Sequence, residues 1–256
     1  MRRRSSASLV RGALFLLLTL AVTAPTHCLS FEESSALADP ALQHTIERVI
    51  EQYLQKNPEA IEQSLQILHT KRAEQERQRV KAVIATKQEF LLHDAASPVS
   101  GNPVGDVTVV EFFDYSCGFC KRAASAVTQL QKDDPQVRVV YKNFPILGQA
   151  SEIAAKAALA SVIQDKHQAF HEALLASPGS LTIEEILAIS AGIGLDVGRL
   201  KADMANPKWD DLIEHNRALA KDLGISGTPG FIVGQELVLG AMDLEGLKGL
   251  IARARQ

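Results

Sequence analysis

Cys117 and Cys120 stand three positions apart, with Gly118 and Phe119 between them, and no other pair in the chain points so directly to chemistry. The run before them, 107–113 (VTVVEFF), is β-branched and aromatic apart from Glu111 and reads as a strand. Asp114, Tyr115 and Ser116 turn the chain, and the cysteines then open a helix running through Ala123, Val127 and Leu130. A cysteine at a helix N-terminus meets unpaired N–H groups and the positive end of the dipole, which stabilise a thiolate. A second cysteine one turn on is placed to attack the mixed disulfide that the first has formed. Strand, turn, CxxC and helix therefore describe a dithiol redox site. Two other readings compete. Half a zinc site needs about four ligands in all, and the sequence has no second CxxC or Cys/His pair to supply them. A structural disulfide closing so short a loop constrains the unfolded chain little.

Glu111 breaks the apolar strand six residues before Cys117. A carboxylate in such a place is costly unless it has a task. The expected task is proton exchange with Cys120 through a buried water, the carboxyl being pushed up by desolvation. The competing reading sets Glu111 at a sheet edge facing solvent, because strands alternate faces.

The elements that position these residues belong to an ordinary globular chain. Its 256 residues are 46% hydrophobic and 22% charged, which excludes a disordered chain, a collagen-like fibre and a disulfide-dense mini-protein. A net charge of −3 gives no global basic field, so no nucleic-acid partner is expected. Arg2, Arg3, Arg4 and Arg11 precede the apolar run 13–22 (ALFLLLTLAV). That run is too short for a hydrocarbon core of about 30 Å, so residues 1–30 read as a cleavable export signal. An uncleaved anchor is the alternative. Cleavage after Ser30 takes four arginines and no acids, moves the net charge from −3 to −7, and removes Cys28. The mature chain would then carry one cysteine pair in an oxidising compartment. Lipidation at Cys28 is not expected, since Pro25, Thr26 and His27 lack the aliphatic-plus-small pattern.

Residues 31–96 read as a helical module and stalk. Leu42, Ile46, Val49, Ile50, Tyr53 and Leu54 lie on one face of a helix entered through Asp39 and Pro40. Asn57-Pro58 starts a second helix with Ile61, Leu65 and Leu68, which turns polar through 71–81 before apolar residues return at Val80, Val83, Ile84, Phe90, Leu91 and Leu92. A helix polar all round for three turns is a solvated spacer. The apolar stripe ahead of it has no domain of its own, so residues 40–70 are expected to self-associate as a dimer or trimer. The alternative folds the hairpin back onto the main domain. Residues 97–106 (SPVSGNPVGD) read as a linker.

Beyond the cysteines, VRVVYKNFPI and LGISGTPGFIVG join VVEFFDYSCGFCKR to make a pattern that resembles the DsbA-type thioredoxin-fold family of periplasmic thiol–disulfide oxidoreductases. The resemblance spans residues 107–256 and implies an α/β thioredoxin fold with a helical insertion over about 146–223. By position, Cys117 corresponds to the attacking cysteine, Cys120 to the resolving one, Glu111 to the buried acid and Pro229 to the cis-proline. Thr228 would present its backbone to bound substrate, with Gly118 and Phe119 beside it. Helical stretches are expected at 151–176, 183–191 and 209–223, strands at 231–233 and 237–239, and a closing helix at 244–254. His167 and His171 have a metal-compatible spacing, but with Phe170 beside them they read as structural, as does Trp209. No metal and no cofactor is expected.

The family's best-known oxidant has a histidine between its cysteines that stabilises the thiolate, and Gly118-Phe119 has none. A less oxidising disulfide follows. CGFC is closer to the CGYC of DsbC-type isomerases, and Thr228 before the proline also resembles that group. The front-end sequence YLQKNPEAIEQSL is similar to that of ScsC-type proteins and Com1-like surface antigens. The resemblance thus implies an exported oligomeric isomerase or reductase. Its clients would be unfolded or misoxidised exported proteins, and its partner a DsbD-like or DsbB-like membrane protein. A monomeric DsbA-type oxidase is one alternative. A copper-binding, envelope-associated dithiol protein is another, since a soft cysteine pair suits Cu(I).

Overall fold

The computed structural model describes residues 39–179 and 181–256. The expected export signal and Cys28 lie outside them. Among the described residues, no helix is long and apolar enough to cross a membrane. The described residues divide into two units between Ser64 and Leu65.

The first unit holds helix α1 (Pro40–Lys56) and the start of α2 (Glu59–Thr86). Asp39 caps α1 by accepting the Ala41 N–H at 2.9 Å, with Pro40 at the first helical position, where its missing N–H costs nothing. None of the residues of α1 is buried, and Leu42, Ile46, Val49, Ile50 and Tyr53 are exposed.

The second unit contains the rest of α2 and then α3 (Gln88–Leu92), β1 (Val99–Gly101), β2 (Val107–Phe113), α4 (Gly118–Asp133) and β3 (Val137–Asn143). Five helices follow: α5 (Gln149–Ala160), α6 (His167–Ala176), α7 (Ile183–Gly192), α8 (Val197–Met204) and α9 (Lys208–Leu223). Strands β4 (Gly230–Val233) and β5 (Glu236–Leu239) and helix α10 (Leu244–Ala254) close the chain. The sheet order is β1-β3-β2-β4-β5, with β2 and β3 parallel and the other pairings antiparallel. Parallel neighbours need a crossover, which α4 supplies. This is a thioredoxin-like fold with a helical insertion between β3 and β4.

β2 is central and covered on both faces, which is why it is almost continuously apolar. Val107, Val109 and Phe113 pack against α4, α5, α6 and α10, whereas Val110 and Phe112 pack with Val80, Ile84 and Leu91 and with α9. Side chains alternate with period 2, so Glu111 shares the face of Val109 and Phe113, the one covered by the cysteine-bearing helix.

The structure departs from expectation in four places. The segment expected as a linker, 97–106, carries strand β1, paired through Val99↔Val140, with Ser97 and Ser100 buried. Gly101 ends β1 at φ 73, where an added Cβ would collide with the Val137 carbonyl oxygen. The expected module 31–96 does not end at the linker: Val80, Ile84 and Leu91 belong to the core of the second unit. The stretch 151–176 is two helices, because Ser161–Gln164 tightens into a 3₁₀ turn and Asp165 adopts φ 54. Helix α8 falls inside the expected helical insertion but outside the stretches named within it, since Gly198 inside eight residues lowers helix propensity. Asp196 compensates by accepting the Arg199 N–H at 2.9 Å.

Candidate active site

Cys117 is the N-cap of α4, in extended backbone conformation, and its side chain makes no capping bond. Its N–H donates to the Asp114 carbonyl oxygen at 3.0 Å, and its own carbonyl oxygen accepts Lys121 N–H at 3.0 Å, which starts the helix. The sulfur is therefore left at the open end of the helix dipole. Cys117 Sγ donates to the Thr228 carbonyl oxygen at 3.2 Å. The Thr228–Pro229 peptide bond is cis, and the Pro229 carbonyl oxygen accepts Gly240 N–H at 2.8 Å, which holds that loop at the start of β4.

The two thiols differ in environment. Both are free; Cys117 is 7% exposed and Cys120 fully buried. Burial pushes the Cys120 thiol up, opposed by a backbone hydrogen bond at Asp114 and reinforced by the neighbouring Cys117 and Glu111 charges. Cys120 is thus a protonated thiol that needs a nearby base to become a nucleophile. Glu111 is buried in the middle of the sheet, in register with Tyr141 on β3 and Phe231 on β4, and not at an edge. Burial raises its carboxyl to about 8, and Oε1 has no hydrogen-bond partner among the described residues.

Glu111, Tyr141 and His171 line a cavity of ≈ 380 Å³ whose remaining walls come from α4 and α6. With Glu111, Tyr141 and His171 on its wall, a cavity of that size is roomy enough for water. Tyr115 Oη and His171 Nδ1 are 2.9 Å apart, and Tyr141 Oη and Ser100 Oγ also 2.9 Å. Desolvation lowers His167 to about 4 and His171 well below the usual histidine range; the His171 ring packs with Phe113, Tyr115 and Tyr141, and the His167 ring with Tyr141 and His171. Among the described residues no three His, Cys, Asp or Glu side chains gather as a metal site. Trp209 is buried, with Nε1 donating to the Asp203 carbonyl oxygen at 2.9 Å.

The structure brings Cys117, Cys120, Glu111 and Thr228-Pro229 around the start of α4. Gly118 and Phe119 lie at the surface of the same turn, with the Arg122 guanidinium 4.2 Å above the Phe119 ring. Sequence reasoning took Asp114 and Tyr115 only as a turn and missed their partners. Asp114 accepts N–H groups from Ser116, Ile146 and Leu147, and Tyr115 meets His171. An aspartate next to a turn signals a local backbone bond, but the bonds to residues 32 and 33 positions away carry no such mark.

Fold and site define the class: a thioredoxin-fold domain presenting a dithiol at a helix N-terminus beside a cis-proline. Residues 108–252 match the family model described as the DSBA-like thioredoxin domain, and the chain belongs to that family. A thioredoxin-like oxidoreductase from Silicibacter pomeroyi DSS-3 is 46% identical over 65% of this chain and 96% of its own, with a TM-score of 0.64. The thiol-disulfide exchange protein alpha-DsbA2 from Wolbachia pipientis is 35% identical over 69% of this chain and 96% of its own, with a TM-score of 0.65. Proteus mirabilis ScsC in a transitional conformation is 27% identical and covers 84% of this chain and 97% of its own, with a TM-score of 0.63. The chain also aligns with sodium/proton antiporters, among them NhaA 1 of Salinispora arenicola strain CNS-205, at 30% identity over 158 residues. The chain spans about a quarter of the length of these curated relatives, 24% of NhaA 1 and 61% of itself being aligned.

Proposed function

We propose that the chain is an exported disulfide isomerase or reductase that acts on misoxidised clients through Cys117 and Cys120 and works as a homo-oligomer. The observation that carries the reading is the contrast between the two thiols: Cys117 caps α4 with its sulfur against the Thr228 carbonyl oxygen, while Cys120 is buried beside a buried acid. The Cys117 thiolate attacks one sulfur of a client disulfide. A new Cys117–client bond forms as the client S–S bond breaks, and the other client sulfur leaves as a thiolate. In isomerisation that thiolate attacks another client disulfide, and a client thiolate finally displaces Cys117 unchanged. In reduction, Cys120 gives up its proton and attacks the Cys117 sulfur. The client is then released with two electrons gained and Cys117–Cys120 is left as a disulfide, which a DsbD-like membrane reductant re-reduces.

Glu111 exchanges the Cys120 proton through water, since a carboxyl near 8 is close enough to neutrality to do so in either direction. The apolar face of α1, none of it buried, supports assembly through residues 40–70. The arginine-rich, apolar start of the sequence supports export to the periplasm.

The test is reduction of insulin and refolding of scrambled ribonuclease by the mature chain, with its mass measured by light scattering on the same sample. Activity in both assays with a multimer mass is expected. A monomer that oxidises reduced clients and repairs no scrambled ones overturns the isomerase reading in favour of a DsbA-type oxidase. Stoichiometric Cu(I) binding with neither activity overturns it in favour of a metal-binding dithiol. Deleting 31–64 is expected to give a monomer that still reduces insulin; the deletion must stop there, because Val80, Ile84 and Leu91 are core.

A further inference from the structure

His171 is a buried imidazole that the thiol chemistry above leaves without a task. It lies on α6, is 4% exposed, and rests against the sheet face that carries Glu111. Tyr141, the cross-strand partner of Glu111, has its ring centroid 4.2 Å from that of His171. Phe113, the next residue on the same face of β2, has its ring 5.1 Å away. Glu111 and His171 also line one cavity, walled by α4 and α6. Other residues lining it, Gln129, Lys132 and Glu172, are exposed, so the cavity joins the buried pair to solvent.

Hydrogen bonding decides which nitrogen of His171 is free to meet that water. Tyr115 is 1% exposed, and its Oη lies 2.9 Å from His171 Nδ1. Burial holds the phenol well above its ordinary range and the imidazole well below its own, so the proton between them stays on the phenol oxygen. Nδ1 therefore accepts, and the ring's own proton sits on Nε2. Neighbouring polar groups of the cavity are already engaged. Tyr141 Oη is 2.9 Å from Ser100 Oγ, which also accepts from Gln131 Nε2 at 2.7 Å. Lys121 Nζ donates to the Ser177 and Gly179 carbonyl oxygens at 2.8 and 2.6 Å. That leaves Nε2–H as the donor His171 brings to the cavity, and Glu111 Oε1 as a buried acceptor without a partner among the described residues. A bridging water satisfies both at once.

We propose that His171, its tautomer set by Tyr115, is a positioning residue that donates Nε2–H to the water at Glu111 and so holds the carboxylate ready for the Cys120 proton. This rests on the proton-exchange reading of Glu111. A hydrogen bond to the charged form of a carboxyl favours that form, and only that form can accept a proton. In the resolving step the Cys120 proton passes through water to the Glu111 carboxylate. The Cys120 sulfur bonds to Cys117 as the Cys117–client bond breaks, and the client sulfur leaves as a thiolate. His171 neither gains nor loses a proton, and Glu111 returns its own to solvent through the cavity.

The experiment mixes the reduced protein with dithiobis(nitrobenzoate) at neutral pH and follows thionitrobenzoate in single turnover. The first equivalent released reports attack by Cys117, the second resolution by Cys120. His171→Leu is expected to slow the second phase about tenfold, the loss of one hydrogen bond to a charged group, and to leave the first unchanged. The amide of asparagine reaches the place of Nδ1 and that of glutamine the place of Nε2. His171→Asn, which still offers Tyr115 an acceptor, should be as slow as His171→Leu, whereas His171→Gln should recover to within about threefold of the parent. The opposite order, which a merely structural role would give, overturns the proposal, as does an unchanged second phase in His171→Leu. Added to Glu111→Gln, His171→Leu should slow the second phase by less than a further factor of about two, because it acts through Glu111; effects that multiply overturn the proposal. Should the variants at 171 fail to fold, nitrogen NMR of the parent protein decides: a proton on Nε2 alone is expected, and a proton on Nδ1 overturns the proposal. If Glu111→Gln by itself leaves the second phase unchanged, the reading of Glu111 falls and takes this proposal with it, an outcome distinct from a slow Glu111→Gln beside unaffected variants at 171.

Discussion

Cys117 Sγ donates to the carbonyl oxygen of Thr228 at 3.2 Å, 111 positions further along the chain. The contact sets the sulfur at the rim of the loop entering β4, where an incoming client strand would meet both groups. Cys120, one helical turn inside, is fully buried. The two thiols should therefore react unequally. Iodoacetamide at neutral pH is expected to alkylate Cys117 at least about tenfold faster than Cys120, since reactivity follows thiolate fraction and access. Mass mapping of partly alkylated protein reads this directly, and equal labelling would contradict it.

Division of labour predicts a trapped intermediate. Cys120→Ser leaves the attack of Cys117 in place and removes the resolving sulfur, so a client disulfide should accumulate as a Cys117–client adduct. Non-reducing electrophoresis should show that adduct for Cys120→Ser and none for Cys117→Ser.

Glu111 ties stability to pH. Its carboxyl stands at about 8 in the fold against 4.5 for the ordinary group, so between those values the native state keeps a proton that the unfolded chain has released. The stability this gives is fully present below about 4.5 and is lost as pH rises through 8, with a limiting slope of about 1.4 kcal/mol per pH unit. Glu111→Gln abolishes the slope. Its Tm advantage over the parent should grow from pH 5 to pH 8, while resolution by Cys120 slows. A constant Tm difference across that range would show that the carboxyl is not raised.

His167 acts with the opposite sign. Its folded value, about 4, lies below the ordinary 6.5, so the stability tied to its neutral ring is present above 6.5 and is lost as pH falls toward 4. His167→Gln is expected to flatten the acid side of the Tm–pH curve, and an unchanged acid limb would contradict that account.

The parts of the fold that sequence made legible are those written locally. Val107–Phe113 is apolar on both faces because β2 is covered on both, and the cysteines mark the start of α4 by their own chemistry. Strand β1 was hidden because three residues, one of them Gly101, have little strand character of their own; their pairing with β3 specifies them. Val80 and Ile84 read as one helical face, but what they cover, Phe112 and Val140, lies far along the chain. The longer reach of Asp114, Tyr141 and His171 was invisible for the same reason, since Ile146, Ser100 and Tyr115, which they bind, lie 32, 41 and 56 positions away.

Lys142 shows the same limit as a stability effect. It is fully buried, and its Nζ donates to the Phe90 carbonyl oxygen at 2.6 Å, Ser97 Oγ at 2.7 Å and Asp94 Oδ2 at 3.2 Å, which staples the end of α3 and the entry to β1 onto β3. Lys142→Met leaves those acceptors unpaired and is expected to cost about 3 kcal/mol in urea unfolding. A change under about 0.5 kcal/mol would mean the staple is not needed.

The most direct test of the central claim is redox equilibration of the mature chain with glutathione, followed by mass spectrometry of the Cys117–Cys120 pair. A single two-electron transition is expected, with the Cys117–Cys120 disulfide as product. Its midpoint should be more reducing than about −120 mV, the strongly oxidising end of this enzyme class, and nearer to about −180 mV. Thiols that stay reduced across the whole titration would contradict a redox dithiol, and a midpoint at or above the oxidising end would contradict the isomerase or reductase assignment.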